Sequence, residues 1–88
     1  VLMATNDQRF QLALAEARQS QLRAEHFKIR IETGQFMQRV VRHGGPEGPL
    51  LTPDELLADE VRTMHRHIQL AEDHLEFAKG LLSEGNHD

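Results

Sequence analysis

The chain has 88 residues, a formal net charge of −4 at pH 7 and neither cysteine, tryptophan nor tyrosine. A chain this short makes one domain at most and lies near the lower limit for a self-sufficient core, and without cysteine neither disulfides nor a thiolate zinc site can reinforce it. Acidic overall, with four phenylalanines as its only Phe, Tyr or Trp residues, it is a poor fit to nucleic acid, which is usually met by basic surface and stacking aromatics.

The charge is unevenly spread. Residues 1–43 carry seven basic against four acidic side chains, a net of +3, and residues 44–88 carry three against ten, a net of −7. The halves attract each other, which favours a folded-back hairpin. A local basic face on the first half is the one feature that keeps nucleic acid in view. No apolar run approaches the roughly 18 residues that span a bilayer. The start, VLMATNDQRF, lacks the basic and then apolar order of a signal peptide. A cytoplasmic protein is expected.

From about Asn6 to His43 the chain is rich in Ala, Leu, Gln, Glu and Arg and contains no proline, so a first long helix is expected, with Gly34 as its weak point. At 100° per residue Phe10, Ala13, Leu14, Ala17, Ala24, Phe27 and Ile31 fall on one side. Leu12, Ala15, Leu22, Ile29, Phe36, Met37 and Val40 lie broadly opposite. One partner helix covers only one of these sides, and each large side chain left in water forfeits about 1.5–3 kcal/mol. Self-association through the first helix is therefore expected, with Leu22, Ile29, Phe36, Met37 and Val40 as the contact residues. The small residues Ala13, Ala17, Ser20 and Ala24 either permit a close helix approach or are simply good helix formers.

The stretch HGGPEGPLLTPDE, residues 43–55, reads as punctuation. Arg42 and His43 suit a last helical turn, Gly44 the left-handed position after it, and Pro46 and Pro49 prevent the helix from resuming. An oxyanion hole would need a nucleophile, but the only serines, Ser20 and Ser83, lie outside any G-x-S-x-G context. A phosphate cradle would need Lys followed by Ser or Thr after the glycines, and none is present.

The second helix is expected over about residues 53–84. Thr52 as N-cap, Pro53 at the first helical position and Glu55 form a capping box, and Gly85 supplies a stop. Leu57, Val61, Met64, Ile68, Ala71, Leu75, Ala78 and Leu82 alternate at spacings of four and three, a complete coiled-coil seam. Beside it Leu56, Glu60, Thr63, His67, Leu70, His74, Phe77 and Leu81 repeat the spacing, half apolar and half titratable. Two adjacent seams place a helix in a bundle of three or more.

Six histidines raise a metal hypothesis, but H-E-x-x-H does not occur and Glu-x-x-His occurs only as Glu84 to His87, across the stop at Gly85. His67 and His74 stand about 10 Å apart along a helix, beyond the reach of one ion within a chain, and read better as amphipathic interface residues. Arg23, His26 and Arg30 share one face and could hold a phosphate or another anion; the competing reading is a salt-bridged face complementing the acidic second helix.

These patterns lead to an all-α antiparallel hairpin of two long helices in a single domain, 1–88, with helix 1 over 6–43, a turn over 44–52 and helix 2 over 53–84. It would assemble as a homodimeric four-helix bundle or a larger oligomer. The function expected is that of a small non-catalytic protein that binds, and inhibits or otherwise regulates, another macromolecule, in practice a protein. No catalytic residue, cofactor, metal or membrane is called for. The alternative is a homo-oligomer that captures a small anionic or nucleotide-like ligand between protomers through Arg23, His26 and Arg30.

Overall fold

The computed structural model describes residues 5–85. It is a helical hairpin of α1 (Asn6–Glu32) and α2 (Pro53–Gly85), joined by a segment that holds a single 3-10 turn, Gln35–Gln38. Both helices begin on reciprocal capping boxes. The Thr5 hydroxyl accepts from the Gln8 N–H at 3.1 Å while the Gln8 side chain accepts from the Thr5 N–H at 2.9 Å. Thr52 and Glu55 do the same at 3.2 and 3.0 Å. The second box is the one read from T-P-D-E; the first, T-N-D-Q, carries the same signature with Gln in place of Glu.

The first helix is shorter than its composition suggests. It ends at Glu32 and not near His43, because Gly34 takes the left-handed conformation at φ 78°. The Thr33 hydroxyl donates to the Ile29 carbonyl at 2.8 Å, and the Gly34 N–H reaches Ile31 at 3.3 Å. With the last carbonyls of α1 satisfied in this way, nothing favours continuing the helix. Arg42 and His43 are accordingly not in a helical turn. The chain runs through an antiparallel bridge between Arg42 and Leu50, closed by the His43 N–H on Pro49 at 2.9 Å and the Leu51 N–H on Val41 at 2.8 Å. The glycine-rich stretch is the tip of this pinched loop. At Gly48 a Cβ would fall 1.6 Å from the His43 carbonyl oxygen, so only glycine fits.

The two helices pack through small and polar residues. On α1 the buried set is Ala13, Ala17, Ser20 and Ala24. On α2 it is Leu56, Glu60, Ala71, Ala78 and Leu81. Alanines at three- and four-residue spacing let the helices approach closely, so the first of the two readings of that stripe is the correct one. The consequence is that α2 meets α1 along the boundary of its two stripes, burying Leu56, Glu60 and Leu81 of the half-titratable one and Ala71 and Ala78 of the other while Leu70 and Phe77 stay exposed. His67 stacks on Phe27 with ring centroids 5.5 Å apart, and His74 Nδ1 lies 3.1 Å from Glu16 Oε2. The seam of larger side chains is left at the edge of the contact or outside it.

A two-helix layer is thin. Its extents are 59 × 30 × 16 Å and its radius of gyration is 18.4 Å, against about 12 Å for a compact domain of this length. The accessible surface, 6824 Å², likewise exceeds the roughly 5,300 Å² expected of a compact chain of this mass.

Two glycines give opposite expectations. Gly34→Ala should cost about 1–2 kcal/mol, because an L side chain resists the left-handed conformation. Gly80→Ala lies within α2, where an added Cβ meets nothing within 4 Å, and should stabilise by about 0.5–1 kcal/mol. Urea midpoints at one protein concentration, with unchanged slopes, check both.

The second capping box predicts an acid dependence. The backbone hydrogen bond from Thr52, the Thr52 hydroxyl and the neighbouring His43 ring, 2.6 Å away, hold the Glu55 carboxyl below its usual value of 4.5. A carboxyl lowered on folding stabilises the fold above its unfolded value and loses that contribution as pH falls through the folded one. Glu55→Gln keeps the box but not the charge. It should be less stable than the parent at pH 7 and indistinguishable from it at pH 3 in paired thermal melts.

Candidate interaction surface

The most constrained polar cluster lies where α1, α2 and the connecting segment meet. Glu60, about two turns into α2, has no exposed surface. Its Oε1 accepts from Arg30 Nε of α1 at 2.5 Å, and its Oε2 accepts from Arg39 Nη1, just beyond the 3-10 turn, at 3.0 Å. The same Arg39 nitrogen donates to Asp59 Oδ2 at 2.8 Å, and Arg62 stands 3.6 Å from the other Asp59 oxygen. The hydrogen bond to Asp59 does most to hold the Arg39 guanidinium above its usual range; burial works against it and Glu60 adds to it. Isolated carboxylates are costly to bury, but here both oxygens are satisfied by guanidinium donors.

This cluster changes the meaning of the basic face on α1. Arg23 and His26 are exposed, whereas Arg30 is partly buried with its Nε committed to Glu60. The three residues do not form one open anion cradle. Arg30 belongs to the salt-bridged arrangement that complements the acidic second helix. Among the described residues no group of three or more His, Asp or Glu side chains is placed to hold a metal ion, and no helix is long and apolar enough to cross a membrane.

Of the side chains expected to mediate self-association, Leu22 is 61% exposed and Ile29 46%, and Met37 and Val40 are also exposed. Phe36 is not: at 9% exposure it belongs to the core of the protomer. The break at Gly34 explains the difference, because 3.6-residue periodicity carries Phe36, Met37 and Val40 onto one line with Leu22 and Ile29 only if the helix is continuous. What remains on the outer side of α1 is a short apolar row.

A longer row lies on α2. Leu57, Val61 and Met64 are half-exposed, and Ile68, Leu75 and Leu82 are exposed. Met64, Ile68 and Leu75 form one wall of an open groove of about 350 Å³ between the helices; Gln21, Glu25 and Lys28 of α1 form the other, over a floor that includes the buried Ala24 and Ala71. The opposite surface of the layer carries a smaller groove of about 230 Å³ bordered by Arg9, Leu12, Glu16 and Phe77. These are open troughs between helices rather than the enclosed clefts in which most chemistry on small molecules is done. No family model, curated protein or solved structure matches the chain.

Glu60 predicts an asymmetric response to substitution. Arg30→Met strips one of two partners from a carboxylate out of reach of water and should cost about 3 kcal/mol. Adding Glu60→Met removes the buried charge, leaves Arg39 with Asp59, and should recover most of that loss. Chemical denaturation of the single and double variants at fixed concentration measures both steps.

Proposed function

We propose that this chain is a small non-catalytic interaction protein that assembles with itself and engages a further macromolecule, most simply a protein, through the helical faces that remain exposed, thereby regulating that partner. The observation that carries this reading is the row of larger apolar side chains left outside the hairpin, while five alanines, a serine and a buried glutamate, with only Phe36, Leu56 and Leu81 as large apolar residues, fill its inside. A layer 16 Å thick has two broad faces and no second layer to cover either. Soluble monomers rarely leave long contiguous apolar strips in water, and such strips mark association surfaces. The troughs offer area and shape for a helix rather than a closed site for a reacting molecule.

Self-association is tested directly by mass. Sedimentation equilibrium at micromolar concentration is expected to give at least twice the 10.1 kDa of one chain, and the apparent melting temperature should rise with protein concentration. A fully helical species of single-chain mass would overturn the reading.

A further inference from the structure

The exposed row on α2 and the charges beside it are complementary to themselves when one copy is turned end over end. We infer that the occupant of this face is a second copy of the chain, laid antiparallel over the first, with the two-fold axis passing close to Gln21 and between Gln69 and Leu70. This rests on the self-association proposed above and adds to it which face is used, in which direction and in which register.

Three arguments converge on this arrangement, and the first is fit. Along the row, antiparallel helices pair in layers centred between residues 69 and 70. Ile68 of one copy then lies over Ala71 of the other, where the groove is floored by Ala24 and Ala71. Met64 lies beside Leu75, and Leu57 beside Leu82. Large side chains enter where small ones leave room, as knobs into holes require.

The second argument is charge. The outer flank of the α2 row carries His65 in its first half and Glu72 and Glu76 in its second, with Lys79 beyond them, all exposed. In the antiparallel register His65 of each copy comes within one turn of Glu72 of the other. A parallel pairing would instead set Glu72 against Glu72 and Glu76 against Glu76. The α1 side obeys the same symmetry. Since Glu16 pairs with His74 and Arg30 with Glu60, Gln21 stands level with Gln69, and the axis there brings the exposed Arg18 of one copy opposite Glu25 of the other. Opposite charges flanking an apolar seam are what set the direction of helix pairing.

The third argument is area. From Leu57 to Leu82 the row is about 37 Å long at 1.5 Å per residue, and two helices present a face about 20 Å wide. That is on the order of 750 Å², close to the roughly 800 Å² per partner of a standard stable interface. Other exposed apolar side chains on the helices, Leu22 and Ile29 on the outer side of α1 and Leu12, Leu70 and Phe77 on the opposite surface, form no row of this length and are left free for the other partner.

The chain has no cysteine, so single nitroxide labels can be placed at will. With Gln69→Cys labelled, double electron–electron resonance on the assembled protein should give an interchain distance below about 20 Å, one helix spacing plus the label arms. With Ala58→Cys labelled it should give about 35 Å, the axial offset of 23 residues in this register. Ile68→Glu should keep its helical circular dichroism and raise the dissociation constant at least 100-fold, while Leu22→Asp should leave the assembly mass unchanged. A dimer whose Gln69 labels lie beyond about 27 Å, three helix spacings, would place the contact on α1 and overturn this inference alone. Equal short distances at both positions would mean a parallel pairing and overturn it likewise. A parent protein of single-chain mass would overturn the self-association reading with it. If Ile68→Glu unfolds, the two distances in the parent background still decide.

Discussion

The arrangement of this hairpin depends on one buried carboxylate. Glu60 has no exposed surface and is held by Arg30 from α1 and Arg39 from the connecting segment. A charge placed there tolerates little sliding, since moving α2 by one residue along α1 would carry the carboxylate off its donors and leave it unpaired in a site without water. The cluster therefore sets the register of the two helices and ties the otherwise irregular residues after Gly34 to the start of α2. It costs desolvation and repays it with specificity, the use to which buried polar groups are best suited.

From that anchor the rest of the contact runs away from the turn through Thr63, Phe27 on His67, Ala24 near Ala71, Glu16 with His74, and Ala17 and Ala13 toward Ala78 and Leu81. The chain thus spends its small residues on the inside, where they bring two backbones close, and leaves its larger aliphatic residues at the margin. That is the reverse of a self-sufficient domain, in which the large side chains fill the centre. An inside made largely of alanines removes little apolar area from water per residue, so the hairpin as it stands has a thin core, with Phe36, Leu56 and Leu81 as its large apolar residues. The same distribution that weakens the protomer creates the surface through which it would be completed.

Legibility differed from residue to residue. The capping box at Thr52 and the start of α2 at Pro53 could be read directly because cap chemistry is local: hydroxyl, carboxylate and two N–H groups lie within four residues. Gly34 was visible as a weak point, but whether an interior glycine bends a helix or ends it depends on what the following residues find to pack against. Here Phe36 finds the core of the hairpin, and the 3-10 turn follows. Arg30 was read with Arg23 and His26 because helical periodicity groups side chains by angle alone. Its partner lies thirty residues away, and no local pattern distinguishes an arginine that reaches across from one that faces solvent.

What the sequence by itself determined is therefore the all-α class, two helices joined by a proline- and glycine-rich connection, the caps, and the presence of more apolar faces than one hairpin can bury. These follow from propensity, periodicity and local hydrogen bonding, which need no information beyond a few turns of helix. Only the tertiary structure decided that α2 meets α1 along the boundary of its two seams, that Glu60 is buried, that Arg30 and Arg39 hold it, and that Phe36 points inward. Those outcomes rest on a comparison between alternative packings of the whole chain. Close approach through alanines together with a satisfied carboxylate is available in one rotation of α2 about its axis, and a leucine-to-leucine contact in another. Both are consistent with every local signal, and the ion pair that separates them exists only when the helices are already side by side.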